Sequence, residues 1–167
     1  WVNDDDACDS LFTKLSELRP NDSGIALAWA QFLMSKADLD EETVYAEIVQ
    51  KFPNSPEVIR LWANSLDAKN QFTDARKALE TLGADALAEP ENAELYARLL
   101  YADNKFEESI AALNAIDSTL LAANPALSAK VSKQKVDSQT ALTKWNDEVS
   151  IRDVEELADD LPLVVMQ

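Results

Sequence analysis

Two stretches of this chain follow one pattern. Residues 56–82 read PEVIRLWANSLDAKNQFTDARKALETL, and residues 90–116 read PENAELYARLLYADNKFEESIAALNAI. Residues identical between the two copies are Pro56/Pro90, Glu57/Glu91, Leu61/Leu95, Ala63/Ala97, Leu66/Leu100, Ala68/Ala102, Asn70/Asn104, Phe72/Phe106, Ala78/Ala112 and Leu79/Leu113. The offset from Pro56 to Pro90 matches the period of roughly 34 residues that is typical of one class of stacked helix-turn-helix repeats. It predicts an all-α fold and favours a binding function over catalysis.

Each copy is predicted to form two helices joined by a turn. Apolar residues recur three or four positions apart, which is the spacing of one helix face. In the first copy they are Ile59, Trp62, Ala63 and Leu66, then Phe72, Ala75, Leu79 and Leu82. Pro56 occupies the opening turn and Ser55 the N-cap. Asn70 is predicted to end the first helix because Asn tolerates a left-handed backbone.

The two copies resemble the tetratricopeptide repeat (TPR) family, in which large and small residues follow each other in a fixed order along both helices. The matching residues are Ile59, Trp62, Ala63, Leu66, Ala75 and Leu79 in one copy, and Ala93, Tyr96, Ala97, Leu100, Ser109 and Leu113 in the next. The resemblance implies a right-handed superhelical solenoid of antiparallel helix pairs.

The pattern extends more faintly over the rest of the chain. We predict one domain with a half repeat over residues 4–19, repeats over about 23–53, 56–87 and 90–121, and capping helices with an apolar tail over 125–167. A terminal repeat must turn a polar face to water, hence the cap. The cap is predicted as a long helix to about residue 144 and a short one over about 150–160. Trp145 is either a plug between them or a partner contact. The tail, residues 161–166, either packs back or continues into a longer protein.

The chain is strongly acidic. Its 167 residues include 15 basic and 31 acidic side chains, a net charge of -16. Such a charge repels phosphates, so we expect no nucleic-acid partner. The sequence has no apolar run long enough for membrane insertion. The acidic charge would favour basic or neutral ligands; alternatively, the surface carboxylates only maintain solubility. These features fit a soluble part of a larger protein in the bacterial cytoplasm or periplasm, with the compartment left open.

Residues suited to catalysis are scarce. The chain has no His, the commonest general base and nitrogen metal ligand. Cys8 stands without a His partner at a position where a structural role is expected, and Gly24 and Gly83 are too far apart for a phosphate loop. The acidic residues 4–6 lack the alternation and the glycine of a calcium loop. We therefore expect no enzyme activity, no cofactor and no metal.

The resemblance to TPR proteins places binding on the concave side, which is lined by the first helix of each repeat. The corresponding residues are Gln31, Glu57, Arg60, Asn64, Asp67, Glu94, Arg98 and Tyr101, with Leu27, Met34 and Glu91 beside them. Arg60 with Asn64 resembles half of the clamp that holds a peptide carboxylate in some members, but Glu94 stands where a second cation is expected. The mixed charges favour a peptide carrying both signs. The alternative is a solvated surface whose charges pair with one another.

Two functions follow from these observations. The first is a non-catalytic protein-protein interaction module, a scaffold or adaptor that binds a peptide or partner protein in its concave groove. The second is a structural spacer or self-association segment of a larger protein, with the apolar tail 161–166 as the contact.

Overall fold

The computed structural model describes residues 4–36 and 39–159, and the side chains of residues 5–36 and 39–152. Over this part the protein is all-helical, which confirms the predicted fold class at that level, and it has ten helices and no strand. The helices are α1 (Asp4–Leu18), α2 (Ser23–Met34), α3 (Glu41–Lys51), α4 (Pro56–Ala68), α5 (Phe72–Glu80), α6 (Ala84–Leu87), α7 (Pro90–Ala102), α8 (Phe106–Asn114), α9 (Ser118–Ala123) and α10 (Pro125–Asp159).

The two copies fold with equivalent helix boundaries, as α4–α5 and α7–α8. The turns between the helices contain Asn70 and Asn104, whose φ angles are 61° and 59°. The N–H of Gln71 donates to the carbonyl of Leu66 at 3.0 Å, and that of Lys105 to Leu100 at 2.9 Å. These bonds satisfy carbonyls at the helix end, and they require one left-handed residue in the turn. The predicted role of Asn70 is confirmed.

Helix starts differ from the prediction at Ser55. It occupies the N-cap position of α4, but its side chain makes no capping bond there. Instead its buried hydroxyl donates to a carboxylate oxygen of Glu57 at 3.4 Å. Side-chain caps are supplied by Asp22, Asp40 and Asp117, at the starts of α2, α3 and α9.

The buried residues form three successive clusters. The first contains Trp29 of α2, Ile48 of α3, Phe52 at the C-terminal end of α3, and Val58 of α4. The second joins α4, α5 and α7, and the third joins α7, α8 and α10. Helices α4 and α7 therefore each contribute to two clusters, so neighbouring helix pairs share their core. A pair of this kind cannot bury its apolar face alone.

The C-terminal cap differs from the prediction. Residues 125–159 form the single helix α10, without the predicted break near Trp145. Trp145 therefore does not plug a junction between two helices. Its side chain is 46% exposed, and its ring centroid lies 6.3 Å from that of Phe106. The short helices α6 and α9 were not predicted, and the tail 161–166 lies outside the described residues.

Candidate functional site

The predicted groove residues lie on three helices that are neighbours in space. Gln31 is on α2, and Glu94, Arg98 and Tyr101 are on α7. Helix α4 carries the other four, Glu57, Arg60, Asn64 and Asp67. Helix α4 contacts both α2 and α7. All eight side chains are at least partly exposed, so each is accessible to a ligand.

An ion pair connects the groove residues of α4 and α7. Arg98 donates from Nη1 to Oδ2 of Asp67, 31 residues earlier in the chain. The Asp67 side chain is 16% exposed and that of Arg98 41%, so the pair is partly shielded from solvent. This contact brings together residues that sequence reasoning assigned to separate repeats. It also agrees with the alternative in which groove charges pair with each other, and a pair this exposed contributes only modestly to stability.

A cavity of about 310 Å³ opens between α7 and α10. Helix α7 lines it with Glu94, Arg98 and Tyr101, three of the predicted groove residues. The opposite wall is formed by Lys130, Lys133, Gln134 and Asp137 of α10. Sequence reasoning missed this wall because it took groove positions only from the repeats. The polar, lysine-rich face of α10 was the available signal.

A series of contacts between aromatic rings positions Tyr101 at the edge of this cavity. Its ring packs edge-on against Phe106, with centroids 5.4 Å apart, and Phe106 in turn packs against Trp145. Tyr101 is 37% exposed, so part of the ring faces solvent. A ring held in this way offers contact area at a small further cost in side-chain entropy.

Arg60 and Asn64 lie one turn apart on α4 and make no hydrogen bond or ion pair with the described side chains. At the equivalent positions of the next copy, α7 carries Glu94 and Arg98. The cation and the neutral side chain of α4 are thus replaced by an anion followed by a cation. Both charge signs are therefore present among the predicted groove residues of α4 and α7.

A row of ion pairs, which sequence reasoning missed, links successive helix pairs. Lys36 lies 2.6 Å from Asp9, Lys69 lies 2.6 Å from Glu42, and Arg76 lies 3.2 Å from Asp103. The partners in each pair are 27 residues apart. The three pairs follow one another along the chain at close to the repeat offset, with the charges reversed in the third. Hydrogen bonding to Asp9 and Glu42 raises the pKa of Lys36 and of Lys69.

The described residues offer little for covalent or metal chemistry. Among the described side chains, those of residues 5–36 and 39–152, no three metal-ligating groups lie together to hold an ion. Cys8 is a half-buried free thiol. Over residues 4–36 and 39–159, no helix has the length and apolar character needed to cross a bilayer.

Comparisons of the chain with protein-family models, with curated proteins and with solved structures found no match.

Proposed function

We propose that this chain is a non-catalytic protein-interaction module of the TPR type, in which a partner peptide lies along α2, α4 and α7. In this proposal the helix pairs stack as a right-handed solenoid, with α1 as a half repeat and α10 as the cap. Support comes from the repeat period and from the core clusters that successive pairs share.

The ion pair between Asp67 and Arg98 carries the proposal. It joins the faces of α4 and α7 on which the groove residues lie, and Arg98 continues this surface into the cavity beside α10. A ligand along this surface would meet the cation Arg60, Arg98 in its ion pair with Asp67, the anions Glu57 and Glu94, and the aromatic ring of Tyr101. We therefore expect a peptide that carries both charge signs and an apolar side chain.

The test is selection from a random peptide library displayed on phage, followed by titration of the selected peptides. Arg60→Glu with Arg98→Glu should weaken binding at least about tenfold, which corresponds to roughly 1.4 kcal/mol. The matched control is Arg19→Glu with Lys77→Glu, which changes the net charge equally at exposed residues outside the groove. Circular dichroism checks that both variants keep their helical content. Binding that is equal in the two double variants would contradict the proposal.

The structural alternative, self-association through the apolar tail, depends on residues outside the described part of the chain. Deleting residues 161–167 and measuring molar mass in solution tests it separately from peptide binding.

A further inference from the structure

Helix α10 extends well beyond its described packing. At 1.5 Å per residue its 35 residues span about 52 Å. Leu127 and Val131 pack in the third core cluster, the Ser138 hydroxyl lies 3.1 Å from that of Ser109, and Trp145 contacts Phe106. Over residues 146–152, whose side chains are described, no hydrogen bond, ion pair or aromatic contact reaches another helix.

Large apolar side chains remain exposed along the same helix. Trp145 is 46% exposed and Ile151 59%. Trp145 and Ile151 also line a surface concavity of about 390 Å³ formed by α10 residues. Exposed Trp next to exposed aliphatic groups is typical of a protein contact surface.

The charges of α10 are segregated along its length. Residues 125–144 contain four lysines and one aspartate, whereas residues 145–159 contain six acidic residues and one arginine. A parallel pair of such helices would place like charges together. An antiparallel pair places the basic half of each helix beside the acidic half of the other, which favours that orientation.

We infer that two copies of this chain associate through α10, with the two helices antiparallel and centred between Lys144 and Trp145. Lys130, Asp137, Glu148 and Arg152 share one helix face, at spacings of seven, eleven and four residues. In this register Asp137 lies opposite the partner's Arg152, and Lys144 opposite the partner's Trp145. The same register places the acidic sequence positions 156 and 159 of the second copy opposite Lys133 and Lys130.

The second copy would also cover the cavity between α7 and α10. Lys130, Lys133 and Asp137 belong both to the cavity wall and to the contact face, and Arg98 adds a cation to the cavity from α7. An acidic helix end therefore fits this place by charge. The contact is isologous, since each copy supplies the same residues to the other.

The test uses rescue between two variants. Asp137→Arg alone would place arginine opposite arginine, and Arg152→Asp alone would place aspartate opposite aspartate. Each should weaken self-association at least about tenfold, roughly 1.4 kcal/mol. Mixing the two variants restores opposite-charge pairing, so a heterodimer should form. Sedimentation velocity and native mass spectrometry measure the association of wild type, each variant and the mixture.

Two controls keep the result specific. Glu107→Arg and Lys77→Asp make the same charge changes at exposed residues outside α10 and should leave association unchanged. Deletion of residues 160–167 should also leave it unchanged. A wild-type chain that stays monomeric, single variants that associate like wild type, or a mixture without rescue would each overturn the inference. The inference would also be overturned if deletion of residues 160–167 abolished association while the charge variants of α10 did not.

This inference does not rest on the peptide groove, although the second copy would cover Glu94, Arg98 and Tyr101, which line the cavity and belong to the predicted groove. Loss of association should therefore leave peptide binding unchanged or make it stronger. Peptides selected on the wild-type chain are titrated against Arg152→Asp, which changes none of the eight groove residues. Retained peptide binding with lost association supports the α10 contact without relying on the groove. Association without any selectable peptide contradicts only the proposed function.

Discussion

Helices α7 and α10 begin alike and end differently. Both open with a proline, and the buried positions Ala93 and Ala97 of α7 correspond, one repeat offset later, to the buried Leu127 and Val131 of α10. Helix α7 ends at Ala102, two residues before the left-handed Asn104. The same register position in α10 is Ser138, which lies inside the helix. Asn104 thus lies in the turn after which α8 packs back against α7, whereas α10 has Ser138 at the equivalent position and continues as a helix.

The packing faces differ in the same way. Tyr96 and Leu100 of α7 correspond to Lys130 and Gln134 of α10. Leu100 is 3% exposed, whereas Lys130 and Gln134 line an open cavity. Since α10 does not turn back, it has no following helix within the described residues to cover these positions, and polar side chains occupy them. The same helix register thus occurs in a helix that is followed by a packed neighbour and in one that is not.

The largest effect should come from removing a core side chain of a copy. Leu79 is fully buried in the second cluster, so Leu79→Ala leaves a cavity and should lower the free energy of unfolding by about 2–5 kcal/mol. Val149→Ala lies within residues 146–152 of α10, which make no described hydrogen bond or ion pair with another helix, and it should change this free energy by less than about 0.5 kcal/mol in the isolated chain. Urea unfolding followed by circular dichroism measures both. Equal effects would show that α10 shares the core more widely than its contacts indicate.

A smaller effect is expected at the turn. Asn104→Ala puts at φ near +59° a residue that adopts the left-handed conformation less readily than Asn, and it should cost about 1 kcal/mol. Asn104→Gly should be close to neutral, because Gly adopts this conformation without strain. Thermal unfolding of the two variants, with the exposed Asn114→Ala as control, gives the comparison. A loss as large in the Gly variant as in the Ala variant would mean that the Asn side chain itself matters.

Much of the repeat region could be predicted from the sequence. The period placed α4, α5, α7 and α8, and Asn70 was identified as a turn residue because its local chemistry decides its conformation. The length of α10 could not be predicted, since a helix end depends on whether a following segment competes for the packing face. The wall formed by Lys130 and Lys133 was missed for a related reason. These lysines belong to no groove position of the repeat, and only the packing of α10 beside α7 brings them to Arg98.

The ion pairs between helix pairs show another limit. Oppositely charged positions at any given spacing are common in a chain this rich in acidic residues, so the spacing has no meaning until the stacking is known. In the third pair both charges are exchanged, and Arg76 takes the place of an acid. What recurs is the complementarity of the two positions rather than the residue type. A search for identical residues therefore overlooks it.

The smallest expected change in the free energy of unfolding is at Tyr96 of α7, which corresponds to Lys130 of α10 one repeat offset later. Burial, followed by the hydrogen bond that its hydroxyl donates to Glu80 at 3.1 Å, raises the pKa of Tyr96 above its usual value. Because the folded state favours the protonated phenol, its stabilising effect is complete below about pH 10 and is lost as pH rises through the folded-state pKa. Tyr96→Phe removes this dependence together with the hydrogen bond. At neutral pH the variant should be less stable by about 0.5 kcal/mol.

As pH rises above about 10, wild type should lose stability faster than Tyr96→Phe, so the difference between them shrinks. Urea unfolding at several pH values measures it. Tyr45→Phe is the matched comparison, since burial and then the nearby Glu41 carboxylate raise the pKa of Tyr45, and its hydroxyl has no hydrogen-bond partner among the described residues. Relative to Tyr45→Phe, wild type should show the same kind of stability loss at high pH, but this variant should not be less stable than wild type at neutral pH. If the stability difference between wild type and Tyr96→Phe stays constant to high pH, the folded state tolerates the phenolate. Tyr96 in α7 would then be less shielded from solvent than its comparison with the exposed Lys130 of α10 implies.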